Sequence, residues 1–489
     1  MVFALGIALR FSAHFSLRRW KCGMLRCMLL FALCGVVAQG QDARTACLPA
    51  PGAHFMRAAD SLAALREFAR LDSLVAELAS DMSADRIRQY VEACERQLLH
   101  VAGAVRDSAH PLYIEALSCH AEALWLVDRD ASTRELEQAV RLLARLPDCR
   151  SAWSARVTGN LAYQLYELDR IDESIRGFER CIATLTALAE PPPSFTASQY
   201  LFLGLAWRRS LRHADAERAF AAAAAWQLRA GDSIRAAEAL SWLGDALYRQ
   251  HSFDQAEEQY QRGITLLRRA SGAQSEQTLS ALQELATFHM FLARYNDAYR
   301  LLAEVLDAVN RPGASYDPIL VFFAYSSTAQ VCADLGRDAE AEQYFAEARH
   351  RADAIAESDR PMYQAMVINN TASFLANRER YDEASALVED AMRLMDASGW
   401  KDVGQFKARA ASNLASMYSE LHRLAEAETL LVGAIAMYEK TFGAQSPELA
   451  APVSNLGMVY RDMGRLDEAE RCIQRALLLA RAAHGEAHP

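Results

Sequence analysis

Glycine and proline are scarce here, 22 and 13 of 489 residues. So few turn-makers in a chain of this length argue against an all-β fold and toward long helices with short connections. Lysine is nearly missing. Only Lys21, Lys401, Lys407 and Lys440 stand among 52 basic residues, an arginine skew that fits a high-GC coding genome more simply than a function. Positive charge is short as well: a net charge of −10 repels nucleic-acid phosphates and anionic lipid, which argues against both as partners. The sequence has no Gly-rich phosphate loop, no HExxH and no GxSxG. It also lacks the composition of a disordered chain, since 52% of its residues are hydrophobic.

Long apolar runs are missing too. An uninterrupted apolar stretch of 11 residues, 28–38, falls short of the roughly 20 that a membrane span needs. It follows Arg18, Arg19 and Lys21 and precedes the small residues Ala38 and Gly40. That order is the one of a secretory signal, with cleavage expected after Gly40 and a mature chain from Gln41. Met24 is a second candidate start, with Arg26 then completing a compact basic region. The expected location is periplasmic or secreted, in a Gram-negative cell; the alternative is an inner-membrane anchor formed by an uncleaved leader. Ten cysteines are scattered without a CxxC, and Cys22, Cys27 and Cys34 lie within the signal. An odd number remains, so at least one stays unpaired. Pairing among Cys47, Cys94, Cys119 and Cys149 is open, whereas Cys181, Cys332 and Cys472 fall at helix-packing positions. No metal or cofactor site is indicated.

A short pattern then recurs. A residue with a small neighbour is followed by an aromatic or apolar residue, then by alanine, a large apolar residue and another small one. Its opening residues are Leu161, Leu203, Leu243, Leu285, Thr328, Thr371, Leu414 and Leu456, at intervals of 40 to 43 residues. The first three marks lie at i, i+1 and i+4, one face of a helix. The last three, such as Ala427, Leu431 and Ala434, lie at i, i+4 and i+7, one face of a second helix. A hairpin of two such helices cannot bury its face alone, so the copies must stack.

This arrangement resembles the tetratricopeptide repeat, over about residues 155–478. The longer period resembles the subtype of kinesin light chains. Phe442, Gly443 and Pro447, with His110-Pro111 and His488-Pro489, echo that subtype's loop. The resemblance implies an all-α, right-handed superhelical α-solenoid of stacked antiparallel helix pairs. The expected organisation is a signal at 1–40, a linker at 41–57, degenerate helical repeats or a cap at 58–150, and about eight repeats at 151–478. Residues 479–489 would open a further, truncated repeat. Ile473, Leu477, Leu478 and Leu479 would then lack full cover, so self-association through that edge is expected.

In the resembled family first helices line an inner groove. The position before the paired motif faces it, as do those five before, two after and five after its first residue. The preceding position holds Asn160, Asn370, Asn413 and Asn455, and an asparagine can donate to and accept from a peptide backbone at once. Asn369, Gln330 and Ser416 add polar lining. Arg409 and Arg461 are suited to acidic ligand groups. Tyr166, Trp242, Tyr248 and Phe323 are candidate aromatic anchors. The asparagines place the groove in the last three repeats. The function expected is that of an exported, non-enzymatic scaffold binding peptide segments of partner proteins. The alternative is the recognition half of a larger protein with a CHAT-type peptidase or sensor-kinase domain.

Overall fold

The computed structural model describes residues 84–104, 110–146, 150–357, 359–397 and 404–484. The signal, its cleavage point, Met24, the 41–57 linker, Cys47 and Cys149 lie outside these residues. Every regular element among the described residues is helical. None of these helices is long and apolar enough to cross a membrane.

The chain divides into two compact units, one ending at Ala281 and the other beginning at Leu282. The first holds α1 (Ala84–Ala104), α2 (Pro111–Leu124), α3 (Arg129–Leu143), α4 (Ala152–Glu167) and α5 (Ile171–Thr186). It continues through α6 (Pro193–Arg209), α7 (His213–Arg229), α8 (Ser233–Arg249) and α9 (Phe253–Ala270) to the start of α10 (Glu276–Phe291). The second unit takes the rest of α10, then α11 (Tyr295–Val309), α12 (Pro318–Asp334), α13 (Asp338–Ala352), α14 (Arg360–Ala376) and α15 (Tyr381–Ala397). It ends with α16 (Gly404–Glu420), α17 (Leu424–Phe442), α18 (Ala450–Asp462) and α19 (Leu466–His484). Within each unit consecutive helices pack on one another. The recurring pattern marks one hairpin per copy, with its first three marks on the first helix and its last three on the second.

Each hairpin turns in one way. Eight residues after the opening mark, the backbone enters the left-handed region at Asp169, Leu211, His251, Ala293, Gly336, Glu379, His422 and Gly464. The next N–H reaches back to the carbonyl five residues earlier, as in Arg212 to Trp207 at 2.9 Å and Arg465 to Tyr460 at 2.8 Å. This 6→1 bond caps the first helix and starts the second. The small residue 13 places after the opening mark, Ser174 through Ala427, is fully buried in the first seven copies, so the two helices meet there. Gly204 shows how closely: a Cβ on it would stand 2.5 Å from the Phe220 ring. Phe178, Phe220 and Phe345 are buried on the second helices, each worth about 1.5–3 kcal/mol of transfer free energy.

The α2–α3 pair is built alike. Ser132 Oγ donates to the Ala121 carbonyl at 2.5 Å, as Ser174 Oγ donates to that of Ala162 at 2.7 Å. At the other end, α19 runs to His484. Residues 479–484 therefore complete a second helix, where the spacing predicts the opening of a further repeat. Leu479 is buried, while Ile473, Leu477 and Leu478 are exposed.

Candidate functional site

In the second unit α14 and α16 are first helices of neighbouring repeats. Asn369 and Asn370 sit on α14, and Arg409 on α16. The three meet in a concavity whose other walls are Ala365, Met366, Met395, Phe406 and Ala410. Helical spacing explains the grouping: Ala365, Met366, Asn369 and Asn370 lie at i, i+1, i+4 and i+5, and Phe406, Arg409 and Ala410 at i, i+3 and i+4. The Arg409 guanidinium rests over the Phe406 ring, 5.3 Å from its centroid. Asn413 Nδ2 donates to Asn369 Oδ1 at 3.0 Å, tying the two helices side chain to side chain. The lining thus combines two methionines and a phenylalanine with two amides and one guanidinium.

The remaining expected residues are dispersed. Asn455 Nδ2 contacts Ser416 Oγ at 3.3 Å on an exposed surface outside the concavity. Arg461 is exposed and pairs with its neighbour Asp462 at 2.8 Å. Gln330 leans on Asp334 of its own helix. Phe323 stands edge-on to Tyr363, 6.0 Å between centroids. Asn160 belongs to the first unit, where Nδ2 donates to Glu122 Oε1 at 2.6 Å.

That first-unit setting is a charge cluster. Arg156 Nη2 on α4 donates to both oxygens of Glu115 at 2.7 and 2.9 Å, and its Nη1 donates to Glu122 at 2.7 Å, both glutamates on α2. Trp153 also donates to Glu115. Burial pushes the Glu122 carboxyl above its ordinary range; Arg156 opposes this and the charge of Glu115 reinforces it. Burial also works against the charge of Arg156, but the two carboxylates outweigh it and hold the guanidinium protonated. Of the aromatic candidates here, Tyr166 lies under Arg209 at 5.4 Å and Trp242 under Arg208 at 4.9 Å. Tyr248 packs near Phe253.

Met366 lies five residues before Thr371, so the spacing rule already marks it. Phe406 and Met395 carry no such mark, because Met395 reaches the concavity from a second helix. Arg156, five before Leu161, satisfies the same rule as Arg409. Cys94, Cys119, Cys181, Cys332 and Cys472 are free thiols. Burial pushes the Cys94 thiol up to about 12 and that of Cys332 to about 11, which keeps both protonated and unreactive. Among the described residues no group of three His, Cys, Asp or Glu side chains is placed to hold a metal ion.

Residues 406–482 match the family model of the tetratricopeptide repeat. No curated protein matches the chain. Among solved structures, the apo quorum sensor NprR from B. thuringiensis is 14% identical, with 75% of this chain and 98% of that chain covered and a TM-score of 0.48. BtubC (BKLC) from P. vanneervenii is 17% identical over 49% of this chain and 91% of that one, with a TM-score of 0.39. A tetratricopeptide repeat protein from Parabacteroides merdae ATCC 43184 is 12% identical over 62% and 98%, with a TM-score of 0.42.

Proposed function

We propose that this tetratricopeptide-repeat protein is an exported scaffold that binds extended peptide segments of partner proteins between α14 and α16. One observation carries the reading: Asn370 and Arg409, at positions that the resembled family turns toward its groove, line one concavity with Asn369, Met366, Met395 and Phe406. Asparagine amides suit a peptide backbone, whose N–H and C=O both need partners. The methionines and Phe406 offer an adaptable apolar seat for a side chain. Arg409 adds a preference for an acidic neighbour. The basic stretch, apolar run and small residues of 18–40 support export, with the mature chain beginning at Gln41.

Panning a displayed peptide library against the full chain tests the reading. Peptides selected by the wild type should lose at least tenfold in affinity toward Asn370→Ala and Arg409→Ala, and little toward Asn455→Ala, which stands outside the concavity. Selected peptides that bind all three variants as tightly as the wild type would sink it.

A further inference from the structure

The first unit holds a second concentration of recognition chemistry, with the opposite charge balance to the chain as a whole. Arg208, near the end of α6, stacks its guanidinium 4.9 Å from the Trp242 ring centroid on α8. Its one carboxylate contact is long, Nη1 to Asp245 Oδ2 at 3.4 Å. That same Asp245 oxygen lies 3.1 Å from Arg249 Nε, so two guanidiniums share one carboxylate. Asp245 is nearly enclosed, whereas the Arg208 and Arg249 side chains keep 22% and 31% of their surface exposed.

Nearby polar atoms are also left over. Arg208 Nε and His213 Nδ1 are buried without a hydrogen-bond partner, and they come from adjacent ends of α6 and α7. Buried donors in native proteins are nearly always paired, with protein, water or a bound group. His213 is near enough to Arg249, Asp245 and Arg208 to sense their charges, after the larger effect of its burial. One uncompensated guanidinium therefore sits on an aromatic platform, beside unmatched polar atoms, in a chain whose net charge is −10.

We propose that Arg208 and Arg249, with Trp242 beneath, form a carboxylate-binding site, and that Asp245 occupies it internally as a competitor for the ligand. A guanidinium fork binds a carboxylate through two parallel N–H···O bonds, a geometry that the long Asp245 contact leaves unused on Arg208. Stacking on Trp242 fixes the plane of the fork before a ligand arrives. The site is separate from the α14–α16 concavity and does not depend on it. The carboxylate comes either from an acidic side chain of a protein segment or from a small free acid.

Isothermal titration of the full chain with succinate, and separately with a glutamate-rich peptide, tests this. At low ionic strength the wild type should bind at least one probe, more weakly as salt is added. Arg208→Gln should lose at least tenfold. Asp245→Asn, relieved of the competing charge, should gain about tenfold. Binding of the peptide alone assigns the carboxylate to a partner protein, and binding of succinate as well extends the site to free acids. Thermal unfolding shows whether Asp245→Asn is folded. A folded Asp245→Asn that binds no better than the wild type overturns the proposal. So does an Arg208→Gln variant of unchanged affinity, even if Asp245→Asn does not fold, or a wild type that binds neither probe.

Discussion

Asn413 gives one amide hydrogen to Asn369 across the α16–α14 boundary at 3.0 Å, and Asn369 is buried. Asn369 therefore serves both as groove lining and, through Asn413, as an inter-repeat contact. Asn413→Ala leaves the Asn369 carbonyl enclosed without that donor. A buried acceptor stripped of its partner costs about 1–3 kcal/mol. Urea unfolding of Asn413→Ala should show a loss in that range, and Asn413→Asp, which presents a second acceptor to Asn369 Oδ1, a larger one. Wild-type stability in both would mean that the contact contributes nothing.

The hairpin turns make a backbone prediction. Leu211 and Ala293 hold φ of 60° and 55°, where Gly336 and Gly464 do the same job at 73° and 77°. An L-residue in this region costs about 1–2 kcal/mol, and glycine returns roughly 0.5–1 kcal/mol of that through its freer unfolded chain. Leu211→Gly and Ala293→Gly should each raise the unfolding midpoint slightly, and Gly464→Ala should lower it. Midpoints moving the opposite way in the first two would reject the argument.

Those turns also show what was legible in the sequence. The repeat intervals place the eight hairpins from α4 onward, because small and large apolar residues at fixed steps leave little choice of helix face. The left-handed residue keeps the same phase in all eight copies, yet six of them, Asp169 to His422, are not glycine. Residue type does not report a dihedral angle that the neighbouring helices impose. Arginine follows that residue in seven of the eight copies, from Arg170 to Arg465, with Ser252 as the exception. Each of the seven pairs with an acid three residues on, as Arg170 does with Glu173 and Arg423 with Glu426. Each of these arginines stands one residue before a second helix, a regularity that appears only when the copies are laid in register. In the candidate site Asn370 and Arg409 stand at positions that the resemblance marks, and Met395 does not, since it arrives from the other helix of the hairpin.

Glu122 yields a pH prediction. Its folded-state pKa lies above that of an unfolded carboxyl, chiefly through burial. A raised folded value means that the folded chain holds the proton more tightly. The resulting stabilisation is full below the unfolded value, near 4.5, and fades as pH rises through the raised one. Ionised Glu122 is then a liability at neutral pH. Glutamine keeps an oxygen for Asn160 and Arg156 without the charge, while Glu115 still pairs with Arg156. Glu122→Gln should gain stability over wild type at pH 7 and lose that advantage toward pH 4. A melting-temperature difference that is flat across this range, or grows toward acid, would refute the sign.

Two arginines separate exposed from enclosed charge. Arg380, one residue before α15, bonds Glu383 of that helix and Glu342 of α13, with its side chain 40% exposed. Water screens both partners, and a pair in that setting contributes little. Arg156 also holds two glutamates, but with 14% of its side chain exposed and its partners at 7% and 17%. Removing Arg156 strands carboxylates that are largely shielded from water, a loss of about 3–5 kcal/mol for a buried pair broken on one side. Arg380→Met should therefore leave the unfolding midpoint near that of the wild type, with any difference disappearing as salt is added. Arg156→Met should unfold far earlier at every salt concentration, and acid should restore part of the loss as Glu122 takes up a proton. Equal losses for the two variants would show that burial does not decide what these arginines are worth.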